Sequence, residues 1–579
     1  RKGQSFFAFR LHQFVSGAGN VYATLEPPGV RYVALDGQQF KPGDRDKLLF
    51  NLAFCRECGQ EYFPVWATAQ HGRLITFQPR ELNERSHEDE ELQFGYLMPD
   101  TEGIFDPEDL EKHYPEEWLE YGDGPVSLKR HYRQYQPVQV RVNTRGEVDE
   151  NGLPAWFIPS SFRFCLHCGV YYDGSIRSEL SKLTGLSGEG RSSATTVLTL
   201  SALRHLMKAD LDPRAKKILG FTDNRQDASL QAGHFNDFIQ ILLLRGALLA
   251  AIEDEPTKSL RDEILTHRVL EKLNLEPGDY ASNPGVKGFG AQNTLHALRD
   301  VLGYRLYYDL RRGWRFTNPN LEQLNLLGIR YQGLKECCED EEEWQKCHPL
   351  LASTTPERRQ ALVQELLDHM RRGLCIKTIY LDHNFQQQLR NRSHEYLKEP
   401  WGLSEDERLY SSTYMVPRSR PRDDRDTSHL LFLGYRSRFG RFLRAQATWG
   451  LDNPHYPERF DEELYYRLVD DILKVLHTYV FVESAQVDRG YTGYRINSGV
   501  LEWRLNEKPV EETGSSNLFF RALYENVAEL LRGRDRFLHK LEAREHTAQV
   551  ESDIREEREA RFRKGMLPER MVDGKVEKA

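Results

Sequence analysis

KKILGFTDNRQDASLQAGHF, residues 216–235, decides how this chain is read. Lys216 and Lys217 open a short apolar run, Ile218-Leu219-Gly220-Phe221, which predicts a strand over 216–221. A polar loop, Thr222-Asp223-Asn224-Arg225-Gln226, halts the run. Helical spacing begins at once and predicts a helix from about 226 to 252. Strand, loop and helix in direct succession form the unit of an α/β layer. A loop that feeds a helix N-terminus presents unpaired backbone N–H groups, which suit phosphate oxygens. Thr222, Asp223, Asn224, Arg225 and Gln226 are therefore candidate phosphate contacts, with Arg225 adding charge. The simpler role is local: Thr222 or Asp223 caps the helix, and Asp227 suits its dipole. The two roles are compatible.

Immediately upstream, RSSATTVLTLSALRHLM (191–207) carries Val197, Leu200, Leu203, Leu206 and Met207 at helical spacing. It follows GLSGEGRS (185–192), a near match to a phosphate-binding loop. Arg191 stands there in place of lysine, and no apolar strand precedes it. A phosphate loop needs both, so 185–192 reads as a lead-in to the helix.

Further towards the N-terminus lie two segments in the same frame. In NLAFCRECGQEYF (51–63) and SFRFCLHCGVYYD (161–173), Phe precedes Cys-x-x-Cys, Gly follows, and Tyr stands four residues after the second Cys. Two residues between thiolates let a tight turn bring both sulfurs to one ion. Gly59 and Gly169 can take positive φ and turn backbone N–H groups towards them. Cys55, Cys58, Cys165 and Cys168 are expected to form a closed, structural zinc site. The rest of 1–175 shows short strands, turns and an acidic, Pro-bearing stretch, and reads as one β-rich zinc-binding domain. Cys337, Cys338, Cys347 and His348 form a looser group without knuckle glycines, which reads as helix surface and core.

The chain has 579 residues, 39% of them hydrophobic, enough for several folded domains. A net charge of −9 excludes a uniformly basic nucleic-acid binder but permits a local basic groove. Ile239 to Ile252 is the longest apolar stretch; Gln240, Arg245 and Gly246 interrupt it, so it reads as a buried helix. With eight cysteines and no secretory signal, a reducing, cytoplasmic setting is expected. Residues 255–518 read as a mainly helical insertion. Within it, 461–505 reads as a helix followed by a hairpin, like the second half of a winged helix. GYRSRFGRFLRA (434–445) places Arg438, Arg441 and Arg444 three apart, with Arg436 nearby and Phe439 and Phe442 between them. Basic side chains interleaved with aromatics suit a nucleic-acid groove. An amphipathic helix with solvated or paired arginines fits as well. Residues 519–579 are helical and charge-dense.

The match Phe221-Thr222-Asp223-Asn224-Arg225-Gln226-Asp227-Ala228 resembles motif IV in the second RecA-like domain of large prokaryotic DEAD/DEAH-box helicases of superfamily 2. These are found among phage-defence and DNA-repair enzymes. FFAFRLHQFV (6–15), with the first knuckle, is similar to the zinc-binding insertion they carry before motif IV. REHTAQVESDIREEREARFRKGMLP (544–568) is similar to the segment before motif V. The resemblance implies an α/β and α+β multidomain chain. After the zinc domain, 176–254 would be the first part of RecA-like domain 2, and 519–579 its return, truncated before motif V. It implies an ATP-dependent DNA helicase or translocase, with RNA also open as substrate, in which Thr222 to Gln226 touch the nucleic-acid backbone. ATP and Mg²⁺ would be handled with a partner P-loop-containing RecA-like domain in the same or a neighbouring chain. The P-loop, DExH box and motif VI lie outside the matched segments, so the chain alone is expected not to hydrolyse ATP. The rival reading is a non-catalytic zinc-containing scaffold that binds nucleic acid or protein.

Overall fold

Residues 53–70 show how the N-terminal part folds. The strand Ala53–Cys55 (β1) runs into a tight turn and returns as Glu61–Gln70 (β2), whose residues Tyr62 to Ala67 are buried on both faces. Aromatic and β-branched residues fit such a doubly covered strand. His71 and Gly72, both at positive φ, then turn the chain into Arg73–Pro79 (β3), as a two-residue hairpin requires. The computed structural model describes residues 21–579 other than 36, 57, 83, 85–91, 116–117, 121–125, 173–177, 186–189, 213–215, 221–224, 312–318, 406, 420–428, 436, 451–452, 459, 488–489, 507–517, 548–549, 565–569, 573–574 and 578–579.

The chain divides into two units, Arg1–Asp212 and Pro213–Ala579. In the first, β2 is the centre of a seven-stranded sheet. Leu92–Pro99 (β4), Val138–Val142 (β5), Leu153–Pro159 (β6) and Leu183–Thr184 (β7) complete it, in the order β5-β6-β4-β2-β1-β7, with β3 also on β2. One face packs Phe63, Val65, Phe77, Leu97 and Phe157; the other packs Tyr62, Tyr96, Trp118, Trp156, Phe162 and Phe164. The cysteine pairs sit on the second, more aromatic face. Strands predominate in this unit, and the strand at 183–184 lies past residue 175. The helix Gly190–Lys208 (α1) ends it.

The second unit mixes helices and small sheets. Its axis is Arg225–Asp254 (α2), close to the expected helix. The helical stretch 228–254 is long and apolar enough to cross a membrane by composition, but 89% of its apolar 18-residue window is buried within the protein. Arg245, in the middle of the apolar run, is 2% exposed. Its guanidinium binds both carboxylate oxygens of Asp309 (2.6 and 3.1 Å), the Pro319 carbonyl and the Tyr524 hydroxyl, so the charge is fully partnered. Leu518–Arg532 (α7 below) lies along α2, and Gly246 lets them approach: a Cβ there would stand 2.4 Å from Val527 Cγ1.

Between these helices come two sheets. Ser259–Arg261 (β8), Leu327–Tyr331 (β9) and Leu501–Leu505 (β15 below) pair in the order β8-β15-β9 and pack on α2; the helix Phe289–Tyr308 (α3) reaches this sheet through Tyr307 against Trp503, and Pro356–Arg372 (α4) through Gln364 at the Ile329 carbonyl. Ile376–Lys377 (β10), Tyr414–Val416 (β11), Leu430–Phe432 (β12), Val482–Val487 (β13) and Tyr491–Asn497 (β14) form the other. Arg438–Arg444 (α5) and Glu462–Thr478 (α6) precede the β13–β14 hairpin; Leu518–Arg532 (α7) and Ser552–Lys564 (α8) follow β15.

Two expectations change. Residues 216–220 carry no strand; Leu219 is 59% exposed, and a strand cannot form without neighbours. Residues 461–505 do give helix then hairpin, but β15 leaves that hairpin for the sheet of β8 and β9, so the segment is shared between two sheets.

Candidate metal centre

Both cysteine pairs fold by the same local hydrogen bonds. In the first, Cys55 N–H donates to the Gln60 carbonyl (2.8 Å), and Gly59 N–H donates to the Cys55 carbonyl (2.9 Å). In the second, Cys165 N–H donates to the Val170 carbonyl (3.0 Å), and Gly169 N–H donates to the Cys165 carbonyl (2.9 Å). Gly59 and Gly169 close these turns at φ +77° and +70°, where a side chain is strained. Phe54 pairs across its turn with Glu61, and Phe164 with Tyr171, so each knuckle is a short antiparallel ribbon.

The two ribbons bring their sulfurs together. Cys58 Sγ lies 3.6 Å from Cys165 Sγ, and Cys55 Sγ lies 3.9 Å from Cys168 Sγ; all four are within 4.8 Å of one another. A tetrahedron with Zn–S bonds near 2.3 Å has edges of about 3.8 Å. Cys55 and Cys165 are buried, Cys58 and Cys168 half-buried. Four close cysteines in this arrangement can bind a metal ion such as zinc. Among the described residues they are the one group of three or more potential ligand side chains that converge in this way.

The surroundings fix the sulfurs from behind. Tyr62 donates its hydroxyl proton to Cys165 Sγ (3.2 Å) and accepts Leu166 N–H (3.0 Å). Its ring stands edge-on to Phe162. Leu183 pairs with Cys55 in the ladder, and Arg56 N–H donates to the Lys182 carbonyl (3.2 Å). Residues 179–184 are held in turn by a buried Lys182–Glu179 pair (3.2 Å), with Glu179 also accepting from Tyr96 (2.7 Å) and Phe162 N–H (3.0 Å). In the free thiols, hydrogen bonds from Cys168, Cys55 and Cys58 hold Cys165 far below the usual thiol range. The contact with Cys165 is the main cause that holds Cys55 and Cys58 above it. The cluster thus already favours a thiolate, and metal binding would displace the remaining thiol protons.

The tyrosines that follow each pair by four residues look equivalent in sequence but act differently. Tyr62 reaches the Cys165 sulfur, whereas the Tyr172 hydroxyl donates to the Lys182 carbonyl (3.4 Å) and secures the clasp. The clasp itself, 179–184, carries no motif that sequence reading could use.

The other candidates are spread differently. Cys337 and Cys338 are buried on the short helix Leu334–Glu339, and His348 Nδ1 accepts from Leu350 N–H as a helix cap. Residues Thr222, Asp223 and Asn224 lie outside the described residues, as does Arg436. Of Arg225, Gln226 and Arg438 only the helical backbone is described. Arg441 and Arg444 are half-buried on α5; the Arg444 guanidinium sits 4.4 Å from the centre of the Tyr435 ring. Phe439 is 1% exposed and packs into the core, so it does not line a groove between the arginines.

Compared with known proteins, the chain matches no protein-family model, and neither a curated protein nor a solved structure matches it significantly.

Proposed function

We propose that this chain is the part of a superfamily 2 ATP-dependent DNA helicase or translocase that carries a structural zinc module and contacts the nucleic-acid backbone. The observation that carries this reading is a junction that follows the TDNRQ segment in sequence. The Asn236 amide donates to the Ala543 carbonyl (2.9 Å) and accepts Ala543 N–H (2.8 Å), across 307 residues of sequence. Lys217, in the apolar run before TDNRQ, lies 4.6 Å from the centre of the Phe562 ring. The chain from Asn236 onward therefore returns to its starting point at Ala543. That is what an insertion into an α/β lobe formed by the flanking segments requires.

In this reading the Cys₄ site binds zinc. With four protein ligands it has no open position for a substrate, so its role is to fix the fold of the first unit. Thr222 to Gln226 and the arginines of 436–444 position a strand through its phosphates and read no base. A P-loop lobe supplied by neighbouring sequence or a second chain holds ATP and Mg²⁺, and the setting is cytoplasmic. The test is DNA-stimulated phosphate release. Residues 1–579 alone are expected to be silent, and turnover is expected when a P-loop lobe from the same locus is added. Failure of every such lobe to restore turnover, with DNA binding retained, would favour the scaffold reading.

A further inference from the structure

At the edge of the β8-β15-β9 sheet lies a polar groove of roughly 670 Å³. β9 and β15 form its floor, the 332–336 turn its rim, and Gln360 and Gln364 of α4 one wall. Register places Arg330 opposite Glu502 and Gly328 opposite Arg504; on the far strand Arg261 also stands opposite Glu502. Alternation along a strand sends Arg330, Glu502 and Arg504 to one face. Arg261, Arg330 and Arg504 are exposed. None of the three, nor Glu502, has a hydrogen bond or ion pair through its side chain among the described residues. This sets them apart from the arginines of the same unit that the fold uses, Arg245, Arg359 and Arg371, each at least 98% buried and paired with a carboxylate. Of Arg261, Arg330 and Arg504, the last two line the groove; Lys335 on the rim, 3.7 Å from Glu339, is its third cation, against two lining acids, Glu336 and Glu502.

We propose that this groove binds the phosphodiester backbone of a single nucleic-acid strand, with Arg330 and Arg504 as its principal contacts. Its residues are other than those of the 222–226 loop and the 436–444 arginines, and it rests on the reading of the chain as a nucleic-acid motor. Two guanidinium forks on one sheet face offer paired donors to phosphate oxygens. Gln360 and Gln364 supply neutral donors beside them. Gly328 stands opposite Arg504, and the side-chain amide of Asn506 lies over it as a further polar group of the groove. A peptide strand added to the edge of β9 fits less well. The Ile329 carbonyl, which it would need as an acceptor, already takes a hydrogen bond from the Gln364 amide (3.4 Å).

The test uses full-length protein and a fluorescein-labelled oligothymidine, with affinity measured over a series of salt concentrations. Arg330→Ala with Arg504→Ala is expected to weaken binding roughly tenfold. It should also lower the slope of log affinity against log salt by about 1.4, the loss of two phosphate contacts on a single strand. Glu502→Gln is expected to act in the opposite direction and tighten binding, which a merely misfolded variant would not do. The proposal is overturned if the parent binds no oligothymidine, or if the double variant keeps the parent's affinity and slope. It is also overturned if poly-glutamate competes as well as oligothymidine at equal charge. Unchanged binding in the double variant removes the groove alone, because the motor reading stands or falls on complementation by a P-loop lobe.

Discussion

The Tyr62 hydroxyl joins two things at once: it donates to Cys165 Sγ at 3.2 Å and accepts Leu166 N–H at 3.0 Å. A hydrogen bond to a ligand sulfur stabilises the thiolate and fixes its direction. Tyr62→Phe removes that bond and leaves the Leu166 N–H without its acceptor. The variant is expected to hold metal about 10- to 100-fold more weakly. The buried N–H should cost the first unit about 1–3 kcal/mol. Competition with a chromogenic chelator measures the first effect and urea unfolding the second. Unaltered metal affinity would show that the tyrosine only packs.

Protein purified without chelator is expected to contain one zinc per chain. Cys165→Ser, or chelation, should remove it. Structural zinc sites contribute on the order of 10 kcal/mol in small domains. The first melting transition should therefore fall by roughly 10 °C or more. Equal melting of parent and Cys165→Ser, or no zinc by elemental analysis, contradicts this.

His539 makes the second unit sensitive to mild acid. Burial holds its pKa below the ordinary histidine value, and Nε2 meets the Leu273 carbonyl at 2.7 Å, so the ring is neutral and donates. Glu276, Asp279 and Arg536 are the charged groups that face it. A histidine whose pKa is lowered on folding takes up its proton more readily in the unfolded chain. Its contribution to stability is complete above the unfolded pKa, near 6.5, and is lost as pH falls below it. Burial shifts His348 in the same sense. Stability should fall between pH 7 and pH 5. His539→Gln, which keeps a donor for Leu273, should show a shallower fall. An identical pH slope would exclude His539 as a source.

Gly246 sets the spacing between α2 and α7. In Gly246→Ala the new methyl would lie 2.4 Å from Val527 Cγ1 and 3.0 Å from Val527 Cβ. Valine on a helix has essentially one rotamer and cannot swing aside. The substitution is expected to cost about 1–3 kcal/mol. Adding Val527→Ala should recover part of the loss. A double-mutant cycle with no coupling would mean the helices simply slide apart.

The knuckles were legible because each is local: Phe-Cys-x-x-Cys-Gly repeats in one frame, and the turn needs only its own residues. The long helix α2 was legible for the same reason, since its apolar run has no competing period. What sequence could not supply were partners distant in the chain. Ile218 and Leu219 look like strand residues, yet 216–220 has no sheet to join and leaves them 37% and 59% exposed. Arg438, Arg441 and Arg444 at steps of three suggested an aromatic-lined basic face. The register of α5 against its neighbours instead turns Phe439 into the core and puts Tyr435 under Arg444. β15 follows the β13–β14 hairpin in sequence, but Trp503 and its neighbours find their ladder with Ser259–Arg261 and Leu327–Tyr331. Both are long-range pairings that no window around 461–505 contains.

The double hydrogen bond of Asn236 with Ala543 has a genetic consequence. Where a long excursion begins and ends at adjacent points, its coding segment can be cut out or spliced in as a single cassette, with a bridge of only a few codons to close the gap.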